Sequence, residues 1–138
     1  QMVPLSHVSI GGKPFLKLQE EHPDTLGMIT LEELQEEVRQ AGMTVIEGEG
    51  STEFGIGVAL SEIVSAIFYD QKKVWPLSVC LEGEYGQKNV AAGVPAVIGE
   101  NGVEEIFEID LSEREKQEFD HSCDVIRDYL RQAEEMLK

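Results

Sequence analysis

Three histidines, two cysteines and 27 carboxylates are the groups in this chain that could move a proton, hold a metal or attack a carbonyl. Their spacing gives them little shared chemistry. His7, His22 and His121 are far apart, and no pair has the spacing that places two metal ligands on one helix face. His121 and Cys123 stand two apart, which on a helix points them in different directions. Neither a Ser–His nor a Cys–His nucleophile can be assembled from positions so scattered. The run Gly48-Glu49-Gly50-Ser51-Thr52-Glu53-Phe54-Gly55-Ile56-Gly57 invites a phosphate, but its residue types do not support one. Glu53 stands where a dinucleotide fingerprint needs its third glycine, and Ile56-Gly57 stand where a P-loop needs Lys and Ser or Thr. Glu49 and Glu53 would also repel a phosphate, so the run reads as a glycine-rich helix start.

The elements that position these residues follow from pattern. Val8-Ser9-Ile10 alternates as a short strand and ends in a Gly11-Gly12 turn. Residues 20–27 read as an acidic loop around Pro23. Thr30-Leu31-Glu32-Glu33 is a capping box, in which the Thr30 hydroxyl and the Glu33 carboxylate satisfy each other's amides. The helix it opens carries Leu31, Leu34, Val38 and Ala41 on one face and continues or bends at Gly42. Gly48 and Gly50 break the chain, and Ser51 is the expected N-cap of a helix running to about residue 70. That helix is apolar on every side, so it needs cover on every side. Leu60, Ile63 and Ile67 are expected to meet a sheet, and Ile56, Val64 and Phe68 to need a second cover. Strands are expected at 75–82, 92–99 and 103–110, with Asn101-Gly102 as a tight hairpin signal. Ser112-Glu113-Arg114-Glu115 caps a last helix whose stripe is Phe119, Cys123, Ile126, Leu130, Ala133 and Leu137. The fold class is α+β, an antiparallel β-meander packed against long helices, in one domain over residues 1–138.

Composition narrows the partners. The 27 acidic against 11 basic residues give a net charge of −16, which repels nucleic acid and anionic membrane surfaces. The carboxylates fall mostly on helix faces, where solvation explains them. The N-terminal QMVPLSHVSI has neither a basic start nor a long apolar stretch, so no signal peptide is read there. The most apolar stretch, residues 56–69, is broken by Ser61, Glu62 and Ser65 and is shorter than the roughly 20 residues of a membrane span. Cys80 and Cys123 are expected to be free buried thiols of a cytoplasmic protein.

Longer motifs carry a family resemblance. Leu81-Glu82-Gly83-Glu84-Tyr85-Gly86 is similar to the xxGxYG turn of the L-lactate/malate dehydrogenase family, and 93–102 (GVPAVIGENG) to its GVPAVIGxNG hairpin. Residues 48–56 resemble the KGxTxYGI motif of that family, with Glu49 where lysine is usual. The resemblance implies the C-terminal, substrate-side domain of an NAD-dependent L-2-hydroxyacid dehydrogenase, most like bacterial L-lactate dehydrogenase. It implies that Thr52 lines the pocket for a small 2-oxo or 2-hydroxy acid, that Ala41 and Gly42 lie beside the substrate side chain, and that Ile56 lies against the nicotinamide ring of NAD.

Residues 3–12 resemble the family segment that follows GEHGD, so the family's catalytic histidine would lie a few residues upstream of Gln1. His7 follows that motif and does not belong to it. On this resemblance the chain holds no catalytic residue and no metal ligand, and is inactive alone. The implied partners are its own NAD-binding N-terminal domain and further copies in a dimer or tetramer. Malate or branched-chain 2-hydroxyacid dehydrogenase is the rival within the enzyme class; an acidic interaction module that kept the fold and lost the activity is the rival outside it.

Overall fold

The computed structural model describes residues 2–137. It divides into two compact units, one made of the chain up to Thr52 with Leu111–Glu118, the other of Glu53–Asp110 with the chain from Phe119 on.

In the first unit a single helical turn, Leu5–His7, precedes a small antiparallel hairpin of β1 (Ser9–Ile10) and β2 (Lys13–Pro14). Gly11 and Gly12 make the turn at φ 58° and 82°, a backbone region that side chains disfavour. Helix α1 (Phe15–Glu21) follows, with Phe15 buried and the helix packed on the first turn. The sequence gives no sign of α1, because its N-cap is Pro14 and no side chain caps it. Helix α2 (Leu31–Glu49) opens on the expected box: Thr30 Oγ1 accepts from the Glu33 amide at 3.1 Å, and Thr30 N donates to Glu33 at 3.3 Å. It passes through Gly42 without interruption. Of the expected apolar face only Leu31 and Leu34 are half-buried, while Val38 and Ala41 are exposed. The side chain that α2 buries is Gln35, whose amide donates to Glu118 at 2.7 Å.

The second unit is a meander of β3 (Lys73–Glu82), β4 (Lys88–Gly99) and β5 (Gly102–Ile106), with β4 in the middle and both pairings antiparallel. Val90, Ala92, Val94, Ala96 and Ile98 alternate along β4 and are all buried, which defines the covered face. Helix α3 (Phe54–Phe68) packs on β4. Helix α4 (Glu113–Met136) contributes the buried Phe119 and Cys123.

Four expectations change here. The N-cap of α3 is Glu53, not Ser51, and α3 ends two residues short of 70. Leu60 is exposed and Ala66 is the buried residue of α3, with Ile63 and Ile67 half-buried. The stripe of the last helix is covered only through Ile126; Leu130, Ala133 and Leu137 are exposed. Cys80 is free but exposed, and Cys123 alone is a buried thiol.

The last strand also stops at Ile106 instead of reaching 110. Pro95 of β4 lies opposite Pro76 of β3, and its carbonyl points the other way, accepting from the Phe107 amide at 2.8 Å. Proline has no N–H to return to Phe107, so the ladder loses its second bond there and β5 ends. The Phe107 carbonyl instead accepts from the Tyr85 hydroxyl at 3.4 Å. The hairpin turn itself is Glu100-Asn101, and Gly102 opens β5 at φ 87°.

Candidate functional site

The residues singled out by resemblance lie along one continuous stretch of chain. Ala41 and Gly42 are consecutive on α2, and both are exposed. A Cβ built on Gly42 would meet no atom within 4 Å, so the space beside it is open. Helix α2 stops because Gly50 adopts the left-handed conformation at φ 85° and returns its amide to the Ile46 carbonyl at 2.7 Å. Thr52 follows, exposed, between the two helices. Ile56 stands in the first turn of α3 and is 65% exposed. Glu49 ends α2 with its side chain in solvent, at the end of the helix dipole that least favours a carboxylate.

Thr52 and Gly42 belong to one unit and Ile56 to the other. The set offers one hydroxyl, one apolar side chain and two small residues, with no titratable group among them. The Thr52 hydroxyl can accept or donate one hydrogen bond, but none of these side chains can move a proton. Among the described residues no group of three His, Cys, Asp or Glu side chains is placed to hold a metal ion.

An open groove of about 690 Å³ lies elsewhere in the first unit, lined by Met28, Ile29, Leu34, Gln40 and the carboxylates of Glu33, Glu36 and Glu37. It includes none of the residues above. Its three carboxylates oppose entry of an organic acid, so it is not the place for one.

Two hydrogen-bonded centres were only partly visible in the sequence. The first is Glu115, the far half of the second capping box. Ser112 donates to Oε2 through its amide at 2.9 Å and its hydroxyl at 2.7 Å. Ser6, 109 positions away, donates its amide to Oε1 at 2.9 Å and its hydroxyl to Oε2 at 2.7 Å. Burial alone would raise this carboxyl, but the donors of Ser6 and Ser112 outweigh it and hold it at about 2. The second is Tyr85, whose amide donates to Glu108 at 2.6 Å and whose hydroxyl accepts from the Ile109 amide at 3.0 Å. Burial pushes its phenol up, and the Glu108 carboxylate adds to that. The S-x-x-E spacing signals the local half of the Glu115 centre; nothing in spacing signals Ser6.

The fold is α+β, built on a three-strand antiparallel meander. The sequence profile of the family described as lactate/malate dehydrogenase, alpha/beta C-terminal domain, matches residues 1–137. An L-lactate dehydrogenase 3 of Bacillus cereus is 44% identical over 131 residues, 95% of this chain and 42% of that protein. A minor L-lactate dehydrogenase from Enterococcus mundtii, solved in a ligands-bound form, superposes with a TM-score of 0.85 at 31% identity, covering 95% of this chain and 41% of that one. A malate dehydrogenase from Archaeoglobus fulgidus, solved in complex with NADH, gives 0.70 at 38% identity over 77% of this chain and 36% of its own. The chain belongs to the lactate/malate dehydrogenase family, as its alpha/beta C-terminal domain. It spans about two fifths of the length of these relatives.

Proposed function

We propose that this chain is, as a whole, the substrate-side domain of an NAD-dependent L-2-hydroxyacid dehydrogenase, most like a cytoplasmic L-lactate dehydrogenase that interconverts pyruvate and L-lactate. The observation that carries the proposal is the 44% identity to an L-lactate dehydrogenase across 95% of the chain. No helix among the described residues is long and apolar enough to cross a membrane.

In such an enzyme NAD, when bound, accepts or supplies the hydride, and a proton carrier upstream of Gln1 completes the exchange. This chain's residues bind and orient. The Thr52 hydroxyl offers a hydrogen bond to the polar end of a small 2-oxoacid. Ala41 and Gly42 leave room for its side chain, and the open space beside Gly42 sets how large that side chain can be. Ile56 presents an exposed apolar surface in the first turn of α3, which suits the face of a nicotinamide ring and keeps water from it. The glycine-rich run supplies no phosphate cradle, so cofactor phosphates belong to the N-terminal domain.

The same proposal accounts for α3. Phe54, Ile56, Val58, Leu60, Val64 and Phe68 are all exposed, with Phe54 and Phe68 at about 80%. An apolar surface of this extent needs a cover, which the N-terminal domain and neighbouring copies of the enzyme provide.

The test is the full-length protein encoded with the residues upstream of Gln1, assayed with NADH against pyruvate, bulkier 2-oxoacids and a dicarboxylic 2-oxoacid. Preference for pyruvate supports lactate dehydrogenase. Preference for the dicarboxylic acid moves the assignment to malate dehydrogenase, and no turnover with any of them leaves a non-catalytic module.

A further inference from the structure

We propose that Glu115 is a positioning residue for the dehydrogenase reaction, acting through Ser6 to fix the line along which the upstream half of the polypeptide joins this domain. The inference rests on the function proposed above for the existence of that half, and goes beyond it in assigning a residue that touches neither substrate nor cofactor.

Four donor bonds from two serines converge on one carboxylate. Two of them could be spared if the purpose were only to cap α4, since Ser112 already satisfies the box with its own amide and hydroxyl. The other two come from Ser6, in the middle of the turn Leu5–His7. That turn is closed on itself, with Leu5 N on the Val3 carbonyl at 2.9 Å, His7 N on Pro4 at 3.0 Å and Val8 N on Leu5 at 3.2 Å. Leu5 is buried beneath it. Gripping Ser6 therefore holds residues 3–8 as one body.

The grip is carried by the first turn of α4, the longest helix at 24 residues. A carboxylate held by charge-assisted bonds on a long helix is a stiff mounting. The family match places this chain at the C-terminal part of proteins more than twice its length, so their remaining polypeptide connects through this turn. A small rotation at such a junction is multiplied with distance, and reacting groups tolerate little misplacement.

The experiment uses the full-length enzyme and its Glu115→Gln, Ser6→Ala and double variants. Glutamine keeps the size but turns an amide nitrogen toward serine donors that need an acceptor. At a temperature where circular dichroism shows every variant folded, Glu115→Gln should lose on the order of 10-fold in kcat. KM for the 2-oxoacid and affinity for NADH should move less than about 2-fold, the split expected when orientation and not binding is lost. The double variant should be no worse than Glu115→Gln, because both changes cut the same link. Unchanged kcat in a folded Glu115→Gln enzyme would overturn the proposal, and so would losses that add in the double variant. If Glu115→Gln fails to fold, Ser6→Ala decides alone, with unchanged kcat overturning it. A wild-type enzyme without any turnover would sink the functional assignment instead. Hydrogen exchange at the Ser6 amide then judges the junction separately: faster exchange in Glu115→Gln keeps the latch, and equal exchange removes it.

Discussion

Tyr85 and Phe119 meet ring to ring, their centroids 5.2 Å apart and their planes inclined by 51°. The contact joins the turn after β3 to the buried start of the second unit's share of α4. Tyr85 adds a hydroxyl that serves Ile109 and Phe107 at once. Phe119→Ala should lower the stability of the chain by about 3–5 kcal/mol through the cavity it leaves. Tyr85→Phe keeps the ring contact and should lose about 1–3 kcal/mol by stranding the Ile109 amide. Urea unfolding of the two variants checks the order; a Tyr85→Phe protein as weak as Phe119→Ala would show the hydroxyl, not the ring, to be the main bond.

Acid should loosen the N-terminal turn before it unfolds the meander. The Glu115 carboxyl lies near 2 in the fold, below its ordinary value of 4.5. Its stabilisation is therefore present above pH 4.5 and is lost as pH falls from there through about 2, amounting to at most about 3 kcal/mol. Glu115→Gln should flatten that part of the stability profile. An equal acid slope in both proteins would assign the loss to other carboxylates.

Thr52→Val in the full-length enzyme should lower turnover of pyruvate roughly 2- to 10-fold, the worth of one hydrogen bond, without changing the melting temperature. Thr52 is exposed and holds no part of the core. Unchanged kinetics on every 2-oxoacid would remove it from the pocket. A Cβ at Gly42 meets nothing within 4 Å beyond its own stretch of helix, so Gly42→Val should fold, and should penalise bulky 2-oxoacids more than pyruvate. Equal losses on both would mark Gly42 as a helix position only.

The chain by itself should neither reduce pyruvate nor oxidise lactate. A positioned proton carrier typically contributes 10²–10⁴-fold, and the residues of the open site include none. Turnover above a buffer blank would show that a group within this chain does the acid–base work.

The isolated chain should also associate or bind a dye that reports exposed apolar surface, because Phe54, Ile56, Val58 and Phe68 of α3 are in solvent. Light scattering across a concentration series measures it. A monomer at every concentration, with no dye bound, would mean that α3 needs no cover.

What the sequence made legible was local. The Thr30–Glu33 box and the start of α4 at Ser112 depend on side chains three positions apart, and both formed as expected. The meander followed from period-two burial along β4. Helix α1 was hidden because Pro14 caps it without a side-chain signal, and Ser51 gave a capping signal that Glu53 superseded. The end of β5 depends on a proline in another strand, Pro95, and the Glu115 centre on a serine 109 positions away. Such effects are fixed only when distant segments meet. Of the open stretch, the exposure of Ile56 was legible in the all-round apolar pattern of α3, whereas nothing in the spacing around Ala41, Gly42 and Thr52 signals theirs.

The facing prolines have one more consequence, for the sheet's unpaired rims. Because the Pro95 carbonyl turns toward β5, the Pro76–Pro95 pair shares no backbone bonds, and the missing N–H of Pro76 lies on the free outer side of β3. A strand approaching that side finds a gap in its row of donors. The opposite rim is short and carries Glu104 and Glu105. Both rims are thus poor templates for strand addition, so copies of this domain that come together should do so through helices and not by extending the sheet.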